Sequence, residues 1–186
     1  MFEKFFAAHP AFQIVQKPDK ELLKLYQRQL PNELLEFWKQ FGFGNFMNGY
    51  LKIQDPSVYQ GFMQATYSVY KDPTIVFGAT GFGDLLIWEG EYVKQLNYRL
   101  GITKNCGSSI EMLFDVRFAR WDVVEQSMQA KQFRPAVERL GEPAFDECFA
   151  YVPALALGGS EKVENIQKVK LREHLSILSQ IVGVIE

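Results

Sequence analysis

The chain is short of the residues that build most active sites and covalent staples: its 186 residues include two cysteines and two histidines. Cys106 and Cys148 stand far apart without CxxC spacing, which argues against a zinc ribbon or a disulfide framework and fits a reducing compartment. His9 and His174 form neither an HExxH pair nor zinc-finger spacing, so neither a metal nor any other cofactor is expected. An excess of charge of one sign is missing too. Twenty basic and 22 acidic side chains leave a net charge of -2, so no global field would hold the chain on nucleic acid or an anionic bilayer. Long apolar runs are also absent. The best candidate, residues 151–157, stops at a double glycine, far short of the roughly 20 residues a membrane helix needs. The apolar stretch at residues 1–10 is broken by Glu3, His9 and Pro10, and is too short for a signal peptide. A soluble cytoplasmic protein is expected.

What the chain does have is apolar and aromatic surface. Hydrophobic residues make up 47% and aromatics 15%, with 16 phenylalanines, enough to offset the entropy of ordering and to exclude intrinsic disorder. Asp19 ahead of Leu22, Leu23, Tyr26 and Leu30 predicts a capped helix. Pro31, then Leu34, Leu35, Trp38 and Phe41 on one face, then Gly42, predict a second, with Glu36, Lys39 and Gln40 toward water. Residues 43–49 read as a turn-rich crossing, and Tyr50, Leu51 and Ile53 as a strand ending at Asp55-Pro56. From Pro73 to Leu96 the pattern is that of an antiparallel meander, and residues 110–118 are read as a further strand. Helices follow over 121–130 and 135–140. Leu171, Leu175, Leu178 and Val182 form the stripe of a last helix. The expected fold is α+β: a central, mostly antiparallel sheet with N-terminal helices and a helical C-terminal part packed on it. Residues 1–117 and 118–186 are expected to be its two parts, packed as one unit.

No motif compels a chemistry. Gly78-Ala-Thr-Gly-Phe-Gly-Asp84 has clustered glycines but matches neither GxGxxG nor GxxxxGK[ST], and Leu85–Trp88 after it reads as a strand, so a sheet turn is expected there. His9 lies near a terminus expected to be mobile. His174 falls at the edge of the last helix's stripe and reads as a boundary residue with a satisfied hydrogen bond. Cys106 has no local signature of a Cys–His site, and Cys148 reads as a small buried side chain. Carboxylates are paired at Glu89 and Glu91, at Glu111 and Asp115, and at Glu142 with Asp146 and Glu147. Such pairs serve hydrolases, but they more often form solvated surface, and a hairpin at Gly90 accounts for the first equally well. Lys168, Lys170 and Arg172 lack interleaved aromatics and are diluted by neighbouring acids, so direct nucleic-acid binding is not expected.

Two blocks nevertheless resemble a known bacterial arrangement. Leu30-Pro-Asn-Glu-Leu-Leu-Glu-Phe-Trp38, with Phe41-Gly-Phe-Gly44 and Phe46-Met-Asn-Gly49, is similar to the GAD-like domain. Leu157-Gly-Gly159, with Glu173-His-Leu175 and Ile177-Leu178, is similar to the C-terminal domain of type VI secretion DNase-immunity proteins. The resemblance implies a cytoplasmic antitoxin that binds a cognate protein toxin, a nuclease, and carries out no catalysis. It also implies structural roles for Trp38, Phe41, Gly44, Gly49, Leu175 and Leu178. A nuclease toxin must approach DNA and often presents a basic surface. Asp84, Glu89, Glu91, Glu142, Asp146 and Glu147 are therefore the candidate toxin contacts, chosen by charge. Phe43, Phe46 and Tyr50 are alternative anchors that read more naturally as core. The rival reading is a non-catalytic regulatory or scaffold module of the same fold.

Overall fold

The computed structural model describes residues 1–69 and 73–186. Its first helix, α1 (Glu3–Ala8), buries Phe5, and the Asp115 carboxylate accepts a hydrogen bond from the Phe5 amide at 3.0 Å. That bond satisfies one of the donors a helix start leaves free. The N-terminal region is thus tied down, contrary to the mobile terminus expected around His9. Helix α2 (Lys20–Tyr26) is capped by Asp19, which accepts from the Leu22 amide at 2.7 Å. Helix α3 (Asn32–Phe41) buries Leu34, Leu35, Phe37 and Trp38, exposes Glu36, Lys39 and Gln40, and ends at Gly42.

Seven strands form one sheet in chain order, each antiparallel to its neighbours: β1 (Phe12–Gln16), β2 (Phe43–Phe46), β3 (Leu51–Ile53), β4 (Thr74–Thr80), β5 (Leu85–Glu89), β6 (Tyr92–Asn97) and β7 (Ile102–Gly107). A short helix α4 (Gln60–Thr66) interrupts the meander between β3 and β4. Central strands bury both faces, which is why they read as continuous apolar runs. Ile75, Phe77, Leu86 and Val93 face one core with α1 and α3. Val76, Leu85, Ile87 and Leu96 face a second core with Tyr59, Met63 and the last helix.

The crossing at residues 43–49 contains a strand, because Phe43 and Phe46 pair with β1 while burying their rings. The expected strand at 110–118 is helical instead. Ser109 caps α5 (Ile110–Met112) by accepting from the Met112 amide at 3.1 Å, and a π-helical turn continues over Leu113–Phe118. Ile110, Leu113, Phe114 and Phe118 are its buried residues, a helical spacing of three, four and eight that outweighs their β propensity.

Helices α6 (Trp121–Ser127) and α7 (Phe133–Leu140) then join the first core. Strands β8 (Glu147–Tyr151) and β9 (Ile166–Lys170) form a separate antiparallel ribbon. Helix α8 (Leu171–Val182) lays Leu171, Leu175 and Leu178 on the second core, as its stripe predicts. The C-terminal part therefore covers the sheet from both sides.

Candidate functional site

In the glycine-rich segment 78–84 the first three residues end β4, and residues 81–84 are the tight turn joining it to β5. Thr80 organises it. Its amide donates to the Asp84 carbonyl at 2.8 Å, and its hydroxyl accepts from the amides of Phe82 and Asp84. No space is left for an anion. A side chain at Gly81 would run into the ring of Phe133 at 2.2 Å, and Cys148, Leu171 and His174 close over Gly83. The Gly81 carbonyl accepts from the Phe149 amide at 2.7 Å, so the turn is the socket on which the C-terminal part seats.

Asp84 is wholly buried in this socket. Its carboxylate receives Arg99 twice, Nε at 3.0 Å and Nη2 at 2.7 Å, and Gln95 Nε2 at 2.8 Å. The guanidinium also lies over the Phe82 ring, 4.7 Å from its centroid. Burial works against the Arg99 charge, but the Asp84 carboxylate outweighs it and holds the guanidinium firmly protonated. Glu89 is buried too, at the end of β5. It accepts from Thr74 Oγ1 at 2.6 Å and from the Tyr67 hydroxyl at 3.2 Å, and pairs with Lys94. Burial raises its pKa, but the Lys94 and Thr74 hydrogen bonds win and leave it lowered. Glu91 is exposed on the two-residue hairpin with Gly90, where φ is 56° and 68° at the two positions, as a type I′ turn requires.

The remaining three carboxylates lie together, Glu142 and Asp146 on the segment linking α7 to β8 and Glu147 at the first position of β8. Glu142 accepts from Asn48 Nδ2 at 2.6 Å, Asp146 pairs with Lys170 at 2.6 Å, and Glu147 accepts from the Ala144 amide at 3.0 Å. Lys170 also reaches Glu147 at 3.8 Å, and Lys168 Nζ donates to the Glu142 carbonyl at 3.4 Å. The basic cluster of β9 is thus interleaved with these acids. Asp146 and Lys170 keep 65% and 53% of their side-chain surface exposed, so water screens this ion pair and a partner's cation competes with it at little cost. Asp84 offers no such access. Of the six charge-selected residues, then, two are enclosed, three share one surface segment, and Glu91 stands on another turn.

Beneath the segment lies a residue that sequence reasoning missed. Lys52 on β3 is fully buried, and its ammonium donates to Asn45 Oδ1 at 3.1 Å, the Ala144 carbonyl at 2.7 Å and the Pro143 carbonyl at 3.4 Å. Burial lowers its pKa to about 8, partly countered by Cys148, Glu147, Asp146 and Glu142. Its alternation with the core residues Leu51 and Ile53 was visible, but alternation by itself reads as a solvent-facing lysine.

The other titratable candidates do not converge on a reactive centre. His9 is buried with Nε2 2.9 Å from the Phe118 carbonyl, and burial lowers its pKa. His174 is buried rather than at the boundary, and its Nε2 has no hydrogen-bond partner among the described residues. Burial, reinforced by Arg99 and opposed by Asp84, lowers its pKa to about 4. Cys106 borders a mostly apolar groove lined by Ser109, Met112, Val116, Arg117 and Val123, and burial raises its thiol pKa against the pull of Arg117 and Lys104. Burial pushes Cys148 up to about 12. Both thiols are free. Asp115 caps α1, Glu111 is exposed, and Phe43, Phe46 and Tyr50 are all core. Among the described residues no helix is long and apolar enough to cross a membrane.

Comparison with known proteins adds a family. Residues 1–101, more than half of the chain, match the model of the GAD-like domain, and residues 112–182 match that of T6SS immunity protein Tdi1, C-terminal. The fold is similar to that in the crystal structure of Atu4351 from Agrobacterium tumefaciens, with a TM-score of 0.75 over 97% of this chain and 89% of that one. At 18% identity the likeness is one of fold alone. No curated protein matches the chain in sequence.

Proposed function

We propose, on the premise that this chain belongs to the GAD-like domain family, that it is an immunity protein that binds and neutralises a cognate toxin of a type VI secretion system. The observation that carries this reading is the match of residues 112–182 to the C-terminal part of a T6SS immunity protein. That match supports the immunity role in general; the toxin's being a nuclease, and its neutralisation in the cytoplasm, are the finer parts of the proposal. Binding is itself the activity, and needs a preorganised surface without a cofactor. Glu142, Asp146 and Glu147, within the matched region, are the proposed contacts for a basic toxin surface, with Glu91 a further exposed carboxylate. Their charges speed encounter and oppose wrong partners more than they add raw affinity.

The test is to co-express the C-terminal domain of a large neighbouring gene's product, as the candidate toxin, with and without this protein, scoring growth, DNA integrity and co-purification. Rescue together with a stable complex is expected. Toxicity without rescue or binding would overturn the immunity reading in favour of a regulatory or scaffold module. The triple reversal Glu142→Lys/Asp146→Lys/Glu147→Lys is expected to weaken the complex at least about ten-fold, mostly through a slower and less salt-sensitive association. An affinity within a few-fold of wild type removes this segment as the contact surface.

A further inference from the structure

Residues 141–146 have no regular secondary structure, yet together with Glu147, the first residue of β8, they carry the three clustered carboxylates. A segment of this kind holds one shape only when its backbone polar groups are satisfied from elsewhere. The ties come from the β2–β3 hairpin, some 90 residues earlier in the chain. Pro143 abuts the turn at Gly49, where a side chain would meet its carbonyl at 2.7 Å, and Asn48 holds Glu142. The strongest tie is Lys52, directly opposite Asn45 in the β2–β3 register and fully buried with its ammonium against two successive carbonyls of the segment. Asn45 Nδ2 adds a longer contact to the Pro143 carbonyl at 3.5 Å. A lysine with no exposed surface is rare, and tolerated only when its charge is fully hydrogen-bonded. Nothing in the β2–β3 hairpin itself requires one, since an apolar side chain would fill the same space.

We propose that Lys52 is a positioning residue: through Asn45 and the Pro143 and Ala144 carbonyls it locks the 141–147 segment onto the sheet and so presets Glu142, Asp146 and Glu147 for the partner. The binding half of this claim rests on the immunity reading; the locking half does not. Locking matters for affinity because a contact segment ordered beforehand loses less entropy on association.

Two readouts on the full-length protein separate the halves. The first, without any toxin, is amide hydrogen exchange in wild type and Lys52→Met, a variant that keeps the apolar stem and removes the three donors. Exchange at Ala144 and Glu147, whose amides are bonded within the segment, is expected to quicken at least about ten-fold, with β5 and β6 unchanged. Unchanged rates at 144 and 147 overturn the proposal. Should Lys52→Met fail to fold, Asn45→Ala, which removes one acceptor and leaves the ammonium, is expected to give the same local acceleration to a smaller degree. The second readout is affinity for the candidate toxin domain used in the co-expression test. Faster exchange with about ten-fold weaker binding, expressed in dissociation, supports the proposal. Faster exchange with affinity unchanged overturns the link between this segment and the partner while leaving the immunity reading standing; no binding by wild type overturns that reading itself.

Discussion

A buried lysine leaves a thermodynamic signature that can be worked out in advance. The ordinary lysine pKa of 10.5 applies to the unfolded chain, while burial holds Lys52 at about 8 in the fold, with Cys148, Glu147, Asp146 and Glu142 pulling the other way. Below pH 8 both states carry the proton and Lys52 adds no pH dependence. Between about pH 8 and 10.5 the unfolded chain binds the proton and the fold does not, so stability rises with pH across this window. The displacement corresponds to about 3 kcal/mol in all, of which about 2 kcal/mol falls between pH 7.5 and 10. The raw stability of the protein will not display it cleanly, because Cys148 is raised to about 12 and the buried tyrosines are raised too, and each of these makes stability fall as pH rises through the alkaline range. Subtraction isolates it. Urea unfolding of wild type and Lys52→Met at several pH values is expected to give a stability difference that moves in favour of wild type by about 2 kcal/mol from pH 7.5 to 10. The offset at neutral pH is less diagnostic, since the variant escapes the buried charge but strands three acceptors at about 1–3 kcal/mol each. A difference that stays flat to within about 0.5 kcal/mol would refute the reasoning, because it would mean that the ammonium reaches water.

Two further predictions concern the socket. His174, lowered to about 4 against 6.5 in the unfolded chain, binds its proton only after unfolding between those values; stability is expected to fall by about 3 kcal/mol from pH 7 to 4, and His174→Gln to remove that part of the acid sensitivity in urea titrations at both pH values. Asp84→Asn leaves the Arg99 charge enclosed without its counter-ion and is expected to cost about 3–5 kcal/mol by denaturant unfolding, whereas Asp84→Leu/Arg99→Met recovers a good part of it; a double variant no better than the single would show that the pair's shape, not its charge, is what matters.

The sequence carried the fold well wherever one periodicity spoke alone. Pro31 and the Leu34–Trp38 face mark a helix that formed as read, Asp19 caps one that ends at Tyr26 and leaves Leu30 outside it, and Leu171, Leu175 and Leu178 mark the last helix. It misled where two signals competed. Residues 110–118 contain β-favouring Ile, Phe and Val, yet their buried set is spaced for a helix, and the Ser109 cap settled it. Phe43 and Phe46 sit among glycines that suggest a turn, but pairing with Phe12–Gln16 makes them a strand, and such pairing is a long-range fact no local window contains. The site was less legible still. Charge alone selected Asp84 and Glu89 together with Glu142, Asp146 and Glu147, although the first two are matched inside the fold by Arg99 and Lys94. Nothing local distinguishes a carboxylate that will meet an arginine 15 residues later from one that will face water.

The two family-matched parts share both cores, and the way they meet explains the chain's odd placement of glycine and charge. Phe133 packs where Gly81 leaves room, Phe149 donates to the Gly81 carbonyl, Pro143 abuts Gly49, and Lys52 donates across to Pro143 and Ala144. Each contact pairs a sheet position that gives up a side chain, or buries a charge, with a residue from the C-terminal part that makes use of it. Alone, the sheet would expose Val76, Leu85 and Ile87 where α8 now lies, and would leave Lys52 charged without its carbonyls. Alone, the C-terminal part would lose the surface against which Phe133, Phe149 and Leu175 are buried. The cost of hiding Lys52 is therefore tied to assembly: two of its three acceptors, the Pro143 and Ala144 carbonyls, are supplied only when the C-terminal part is seated, which penalises a half-docked fold more than an apolar seam of the same area would. On the proposed immunity reading such a seam is an advantage, because fluctuation there would reach Glu142, Asp146 and Glu147, the proposed contacts, first.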